Sequence, residues 1–277
     1  MNGIIIVNKP KGITSRDVVN VISKKLNTKK VGHCGTLDPL ACGVLIICVG
    51  KYTKLNNLLT SKEKEYIAEV VLGVETDTLD ITGNIIQKNN DTISKEEIQN
   101  IFDEFPKKYM QEVPKYSAVK INGKKLYEYA RENIDVELPK KEVNIYSLKL
   151  LEYNSNKFKF KTEVSKGTYI RSLIKDILLK ANKIGTMNNL TRTKQGKFDI
   201  KDSYTLSDIE KDNYKMLKIR DIFDYKVIKV SGDLKNKIIN GAKVKYNYDK
   251  VLFVDENDNE LAIYKKEKDY MKVEIML

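Results

Sequence analysis

The sequence of 277 residues holds a single histidine, three cysteines and no long apolar run. Its longest apolar stretch, Ala41 to Val49, is interrupted by Gly43. That is well short of the roughly 20 residues a membrane helix needs. At the N-terminus only Ile4 to Val7 precede Lys9 and Pro10, which gives no reading as a signal peptide and leads to the expectation of a cytoplasmic protein. Cys34, Cys42 and Cys48 are odd in number and lack CxxC spacing, so neither a disulfide framework nor a zinc cluster is expected. His33 and Cys34 are sequence neighbours, and neighbours seldom face each other as base and nucleophile must. One histidine is a poor ligand supply, and Asp77 and Asp80 lack the spacing of a calcium loop, so no metal is expected.

Arginine is also scarce. Only Arg16, Arg131, Arg171, Arg192 and Arg220 stand among 50 basic residues. Where lysine is the default cation, a retained arginine points to a need for its planar fork. The net charge of +12 fits a polyanionic partner such as nucleic acid, and fits a lysine-rich solvated surface equally well. With 41% hydrophobic residues the chain can bury a substantial core.

Periodicity sets out an α+β chain. Ile4 to Val7 reads as a buried strand, followed by a turn through Pro10 and Gly12. A helix follows, capped by Thr14 or Ser15, with Val18, Val19, Ile22 and Leu26 on one face. Gly32 to Pro39 reads as a glycine-punctuated loop and Val44 to Val49 as a buried strand. Tyr66, Ala68, Val70 and Leu72 share one strand face, and Phe158 to Val164 alternates cleanly. Ser94 and Glu97 form a capping box for a helix to Phe105, and Ile170, Leu173, Ile174, Ile177 and Leu178 recur at helical spacing. From about Tyr225 the chain turns to short strands, with turns at Asn240-Gly241 and Asp255 to Asn259. The expected division is 1–224 and a small β-rich domain over 225–277.

The densest chemistry lies in Gly32-His33-Cys34-Gly35-Thr36-Leu37-Asp38-Pro39-Leu40-Ala41-Cys42-Gly43. Taken alone, Asp38 before Pro39 is an ordinary turn or cap residue. The glycines let a backbone approach a ligand closely.

This loop resembles the catalytic signature of the tRNA pseudouridine-55 synthases, the TruB family. Further motifs follow in the family's order. They are Lys9-Pro10-Lys11-Gly12-Ile13-Thr14-Ser15, Lys64-Glu65-Tyr66, and Thr76-Asp77-Thr78-Leu79-Asp80 to Gly83. Next come PKYSAVKINGKKLYEYAR from Pro114 to Arg131, SKGTYIR from Ser165 to Arg171, and Leu190 with Arg192. Thr191 departs from the family's Leu-Arg-Arg run, and the tail is shorter than usual.

The resemblance implies a mixed, mainly antiparallel catalytic domain with an RNA-contacting insertion at about 106–140, and a PUA-like tail. It implies isomerisation of uridine to pseudouridine in the T loop of tRNA, without metal or organic cofactor; no obligate protein partner is expected, and a monomer is the default expectation. It assigns Asp38 as nucleophile and Arg171 as its partner. Tyr66 stacks on the flipped base, Tyr169 and Leu190 line the uracil pocket, and His33 lies beside the flipped nucleotide. Lys9, Lys124, Lys125, Tyr127, Tyr129 and Arg192 become candidate RNA contacts. The chemistry agrees, since an ionised carboxylate can attack ribose C1′ or uracil C6 or act as a base. A base must also leave its stack to react, usually against an aromatic ring.

Overall fold

The computed structural model describes residues 1–60 and 62–277. Its centre is a nine-stranded sheet. Seven strands run in the order Gly3–Lys9, Cys42–Val49, Gly185–Gln195, Lys64–Leu72, Lys157–Val164, Lys140–Asn154 and Lys108–Glu112. Val31–Cys34 and Phe198–Asp199 pair at its side. All pairings are antiparallel except Gly185–Gln195 with Cys42–Val49. The chain is therefore α+β and mainly antiparallel, as expected.

Strand alternation decides which residues meet. Ile5, Val7, Leu45, Ile47, Tyr66, Ala68 and Val70 share one core with Val18 and Ile22 of the helix Ser15–Lys25, Phe102 of Lys95–Glu104, and Leu173 and Ile177 of Ile170–Lys180. The other face of the first strands carries Ile4, Ile6, Val44 and Ile46, packed beneath Tyr52, Leu55 and the tail residues Leu252, Val254 and Ile263. Burial on both faces explains why Ile4 to Val7 and Val44 to Val49 read as unbroken apolar runs.

Three details differ from the sequence reading. Gly32, His33 and Cys34 lie in a short strand paired to Cys42–Val49, because that strand has an open edge to satisfy their backbone. At the helix Lys95–Glu104 only half of the capping box forms: the Ser94 side chain accepts from the Glu97 amide. The tail adds a helix, Gly232–Ile239, between its first two strands, which are parallel and so need a crossover.

The tail forms a four-stranded sheet of Lys226–Lys229, Lys250–Val254, Glu260–Glu267 and Tyr270–Met276. Val251, Phe253 and Tyr264 face a small core of its own, whereas Leu252, Val254 and Ile263 pack on the main sheet. Apolar packing is continuous across the expected boundary at 224. Among the described residues, no helix is long and apolar enough to cross a membrane.

Candidate active site

The segment between Val31–Cys34 and Cys42–Val49 carries Asp38. Its backbone is fixed carbonyl by carbonyl. Gln195 Nε2 donates to Cys34 O at 2.9 Å. Arg192 donates to Gly35 O at 3.0 Å and to Thr36 O at 3.4 Å, and its Nε donates to Val44 O at 2.7 Å. The Ser15 hydroxyl donates to Leu37 O at 3.1 Å and accepts from Leu37 N at 2.9 Å. Ala41 N donates to Asp38 O at 3.0 Å, and Gly12 N to Pro39 O at 2.8 Å. Lys9 Nζ donates to Pro10 O at 2.8 Å and Ile13 O at 2.7 Å, and reaches Pro39 O at 3.4 Å. Such a segment cannot relax when a ligand arrives, and this is the preorganisation that catalysis requires.

These bonds revise two expectations. Lys9 is fully buried and Arg192 is 1% exposed, so neither is free to contact RNA. Both tie the Asp38 segment to its surroundings. Burial pulls the Lys9 ammonium down to about 8. Gly43 shows how tightly the segment is built. Its φ is +104°, and a Cβ there would lie 2.2 Å from the Arg192 carbonyl oxygen of the neighbouring strand.

The Asp38 side chain, about one-third exposed, meets Arg171. Arg171 Nε lies 2.9 Å from Asp38 Oδ2, and the Arg171 side chain is 6% exposed. Nε meets the carboxylate while the rest of the fork is engaged elsewhere. Nη1 donates to Thr78 O at 2.8 Å and Nη2 to Tyr116 O at 3.0 Å. The guanidinium thus joins three segments: the Asp38 loop, the Thr76–Gly83 turn and the insertion. Thr78 is presented by a turn in which Asp80 accepts from Thr82 and Leu79 takes a φ of +63°. The Tyr116 hydroxyl donates to Asp77 Oδ2 at 3.3 Å.

A cavity of about 290 Å³ opens at Asp38. Tyr66, Tyr169, Arg171, Leu190 and Arg192 line it, so with Asp38 six of the twelve residues singled out from sequence converge here. Register explains part of this. Tyr66 stands opposite Arg192 and Ala68 opposite Leu190, and cross-strand partners project to the same face. Tyr66 is 7% exposed and Leu190 5%. Tyr169 caps the helix Ile170–Lys180, and burial pushes its phenol up. The buried Gln111 amide brackets Tyr169, accepting from its N–H at 2.8 Å and donating to its carbonyl at 3.2 Å. Sequence reasoning overlooked Gln111, Lys64, Lys141 and Lys166, the last three on the cavity wall. The Lys-x-Tyr and Ser-Lys-Gly motifs already held Lys64 and Lys166.

His33 does not line the cavity. It sits on Val31–Cys34, two residues before the wall at Gly35, and burial, with Arg16 and Arg192 behind it, holds its imidazole below the usual range. In the insertion, Lys124 lies 4.8 Å from the Tyr129 ring centre, Lys125 5.2 Å from that of Tyr127, and Arg131 5.3 Å from the latter. These rings are already engaged by cations on the protein's own surface.

A family model described as TruB family pseudouridylate synthase (N terminal domain) matches residues 23–170. Proteins named tRNA pseudouridine synthase B are similar over most of the chain. That of Caldicellulosiruptor saccharolyticus is 44% identical, covering 87% of this chain and 83% of its own. That of Clostridium tetani is 42% identical, covering 97% and 93%. Among solved structures, a chain of a Cbf5-Nop10-Gar1 complex shares the fold with a TM-score of 0.71 at 24% identity, covering 99% of this chain and 84% of that one. Matched through more than half its length and to full-length relatives at this identity, the chain belongs to the TruB family of pseudouridylate synthases.

Proposed function

We propose that this chain isomerises uridine to pseudouridine in the T loop of tRNA, at position 55, with Asp38 as the nucleophile toward a flipped-out nucleotide. The observation that carries this reading is a lone carboxylate, on a segment whose backbone is bonded from Cys34 to Pro39, aimed by Arg171 into a cavity of about 290 Å³. A cavity of that size admits a single nucleoside and excludes a stacked one, so the base has to turn out of its helix or loop. The similarity to proteins named for tRNA supports the substrate class.

The reaction breaks the C1′–N1 bond, turns the uracil and forms a C1′–C5 bond. C5 gives up a proton and N1 gains one, so nothing is added or lost overall. Asp38 attacks the bound uridine and is released when the new carbon–carbon bond forms. Arg171 holds the carboxylate in line. Tyr66 stacks on the uracil, and Tyr169 and Leu190 complete the wall that keeps the base from water while it turns. The chain acts as a monomer without an obligate protein partner. The tail, 225–277, serves as a PUA-like RNA-binding module.

Incubating the protein with an unmodified tRNA transcript and mapping pseudouridine by carbodiimide-dependent reverse-transcription stops tests the reading. A new stop reporting T-loop position 55 is expected. No product, or product only at other positions, overturns it.

A further inference from the structure

The cavity carries more positive charge than its proposed chemistry uses. Five cations and one carboxylate line it. Arg171 is engaged by Asp38, and all three Arg192 nitrogens donate to backbone carbonyls. Lys64, Lys141 and Lys166 remain. Uracil is neutral and needs none of them.

The three lysines sit together on one wall. Lys64 opens the strand Lys64–Leu72 and is 6% exposed. Its Nζ donates to Thr60 O at 2.8 Å and Lys62 O at 2.6 Å, and among the described residues its third ammonium proton has no acceptor. Lys141 lies across Gly167. A Cβ at Gly167 would sit 2.0 Å from Lys141 Nζ, and Gly167 has a φ of +83°. The positive φ favours glycine there, and the missing side chain leaves room for the Lys141 ammonium at the rim. Lys166 is the neighbour of Gly167 and is exposed. Among the described residues, none of the three forms an ion pair with a carboxylate. Burial, then Arg192 and Lys166, with Lys141 adding to them and Glu63 only partly opposing, depress Lys64 to about 8. An anion is missing from this wall.

We propose that Lys64, Lys141 and Lys166 form a phosphate subsite that grips a backbone phosphodiester adjoining the target uridine. The phosphodiester is the one anionic group a nucleotide in RNA can bring to the rim while its base enters beside Asp38. Lys64 supplies a fixed donor at the bottom of the wall, and Lys141 and Lys166 close over the phosphate from outside. The wall also separates backbone from base: charge holds the chain at the rim, and the apolar and aromatic wall receives the ring.

This inference rests on the isomerase reading above, and the experiment keeps the two apart. Chemically synthesised T-arm hairpins carry a neutral methylphosphonate in place of the phosphodiester 5′ or 3′ to the target uridine. Binding of each hairpin, and of the unmodified one, is measured for the wild-type protein and for Lys141→Gln and Lys166→Gln. Both variants change exposed side chains, so folding is not at stake. Removing one single-strand phosphate contact near 0.1 M salt weakens binding about five- to tenfold and lowers the slope of log K against log salt by about 0.7. Each lysine variant is expected to show that loss on the unmodified hairpin. With the methylphosphonate at one of the two positions, the variants should bind no more weakly than the wild type. Multiplied losses at both positions, or variants with wild-type affinity and salt slope, overturn the subsite. Turnover of the unmodified hairpin by wild-type protein tests the isomerase reading separately.

Discussion

Replacing Arg171 by lysine keeps the charge and removes the fork. In the wild type, three nitrogens of one rigid plane serve three acceptors on three chain segments: Asp38 Oδ2 at 2.9 Å, Thr78 O at 2.8 Å and Tyr116 O at 3.0 Å. A lysine ammonium is a single point on a flexible stem and cannot occupy all three positions. If it follows Asp38, two carbonyls lose their donor. A buried acceptor left unpaired costs about 1–3 kcal/mol. Taking about 1 kcal/mol for each carbonyl, the loss is about 2 kcal/mol, which for a chain of this size lowers the melting temperature by about 4–8 °C. If the ammonium stays with the carbonyls instead, Asp38 loses its guide, and a displacement of about 1 Å costs on the order of a hundredfold in rate. Either position harms catalysis, because the Asp38 segment and the turn at Thr78 no longer share a rigid anchor. The assay is the single-turnover rate on tRNA at saturating enzyme, with thermal melting in parallel. Arg131→Lys serves as the comparison, since Arg131 lies over Tyr127 in the insertion, away from the cavity. A fall of about a hundredfold is expected for Arg171→Lys, with little change for Arg131→Lys. Equal rates for the two would show that Arg171 acts only as a cation, and the three-way anchor would have no catalytic meaning.

Other consequences follow from the same contacts. Arg192→Gln should lower the single-turnover rate at least tenfold, because Gly35, Thr36 and Val44 lose their buried donor; unchanged turnover would remove it from the loop's support. The Lys9 pKa of about 8 lies below that of the unfolded chain, so the unfolded state binds more protons between about pH 8 and 10, and stability should rise over that window. Lys9→Met should reduce the slope by up to about 1.4 kcal/mol per pH unit, read from urea midpoints; parallel curves for both proteins would contradict a buried, depressed Lys9. Leu252→Ala in the tail should cost about 2–5 kcal/mol and lower the melting of the whole chain, since Leu252 packs against the back of the main sheet. A separate early transition, with the main unfolding step unmoved, would instead mark the tail as independent.

What could be read from sequence follows from the range of the interactions. Alternation in Lys64–Leu72 and helical spacing in Ile170–Lys180 are local, and both elements lie where the pattern placed them. Asp38 was visible only because the surrounding motifs resemble a known family; in isolation it is an acid before a proline. Lys9 and Arg192 were misread as RNA contacts because a basic residue in a basic chain looks solvated. Lys9 bonds the carbonyls of Pro10 and Ile13 nearby and reaches that of Pro39, 30 residues away, while the Arg192 partners are carbonyls about 150 residues away, a burial that no local pattern shows. The threefold use of Arg171 was hidden likewise, since Thr78 and Tyr116 accept through their backbone and not through their side chains. Gly32 to Cys34 read as part of a loop because the glycine and the short length mask a strand, Val31–Cys34, that forms by pairing with Cys42–Val49.

The central claim is that the Asp38 carboxylate performs the reaction and does not merely help to bind RNA. Asp38→Asn retains the shape of the side chain and removes the nucleophilic charge. The decisive measurement compares wild type and Asp38→Asn on the same tRNA, for affinity by filter binding and for pseudouridine formed in single turnover at saturating enzyme. Affinity within a few-fold of wild type, with no detectable product, is the predicted result. Product formation by Asp38→Asn at a rate near that of the wild type would contradict the account.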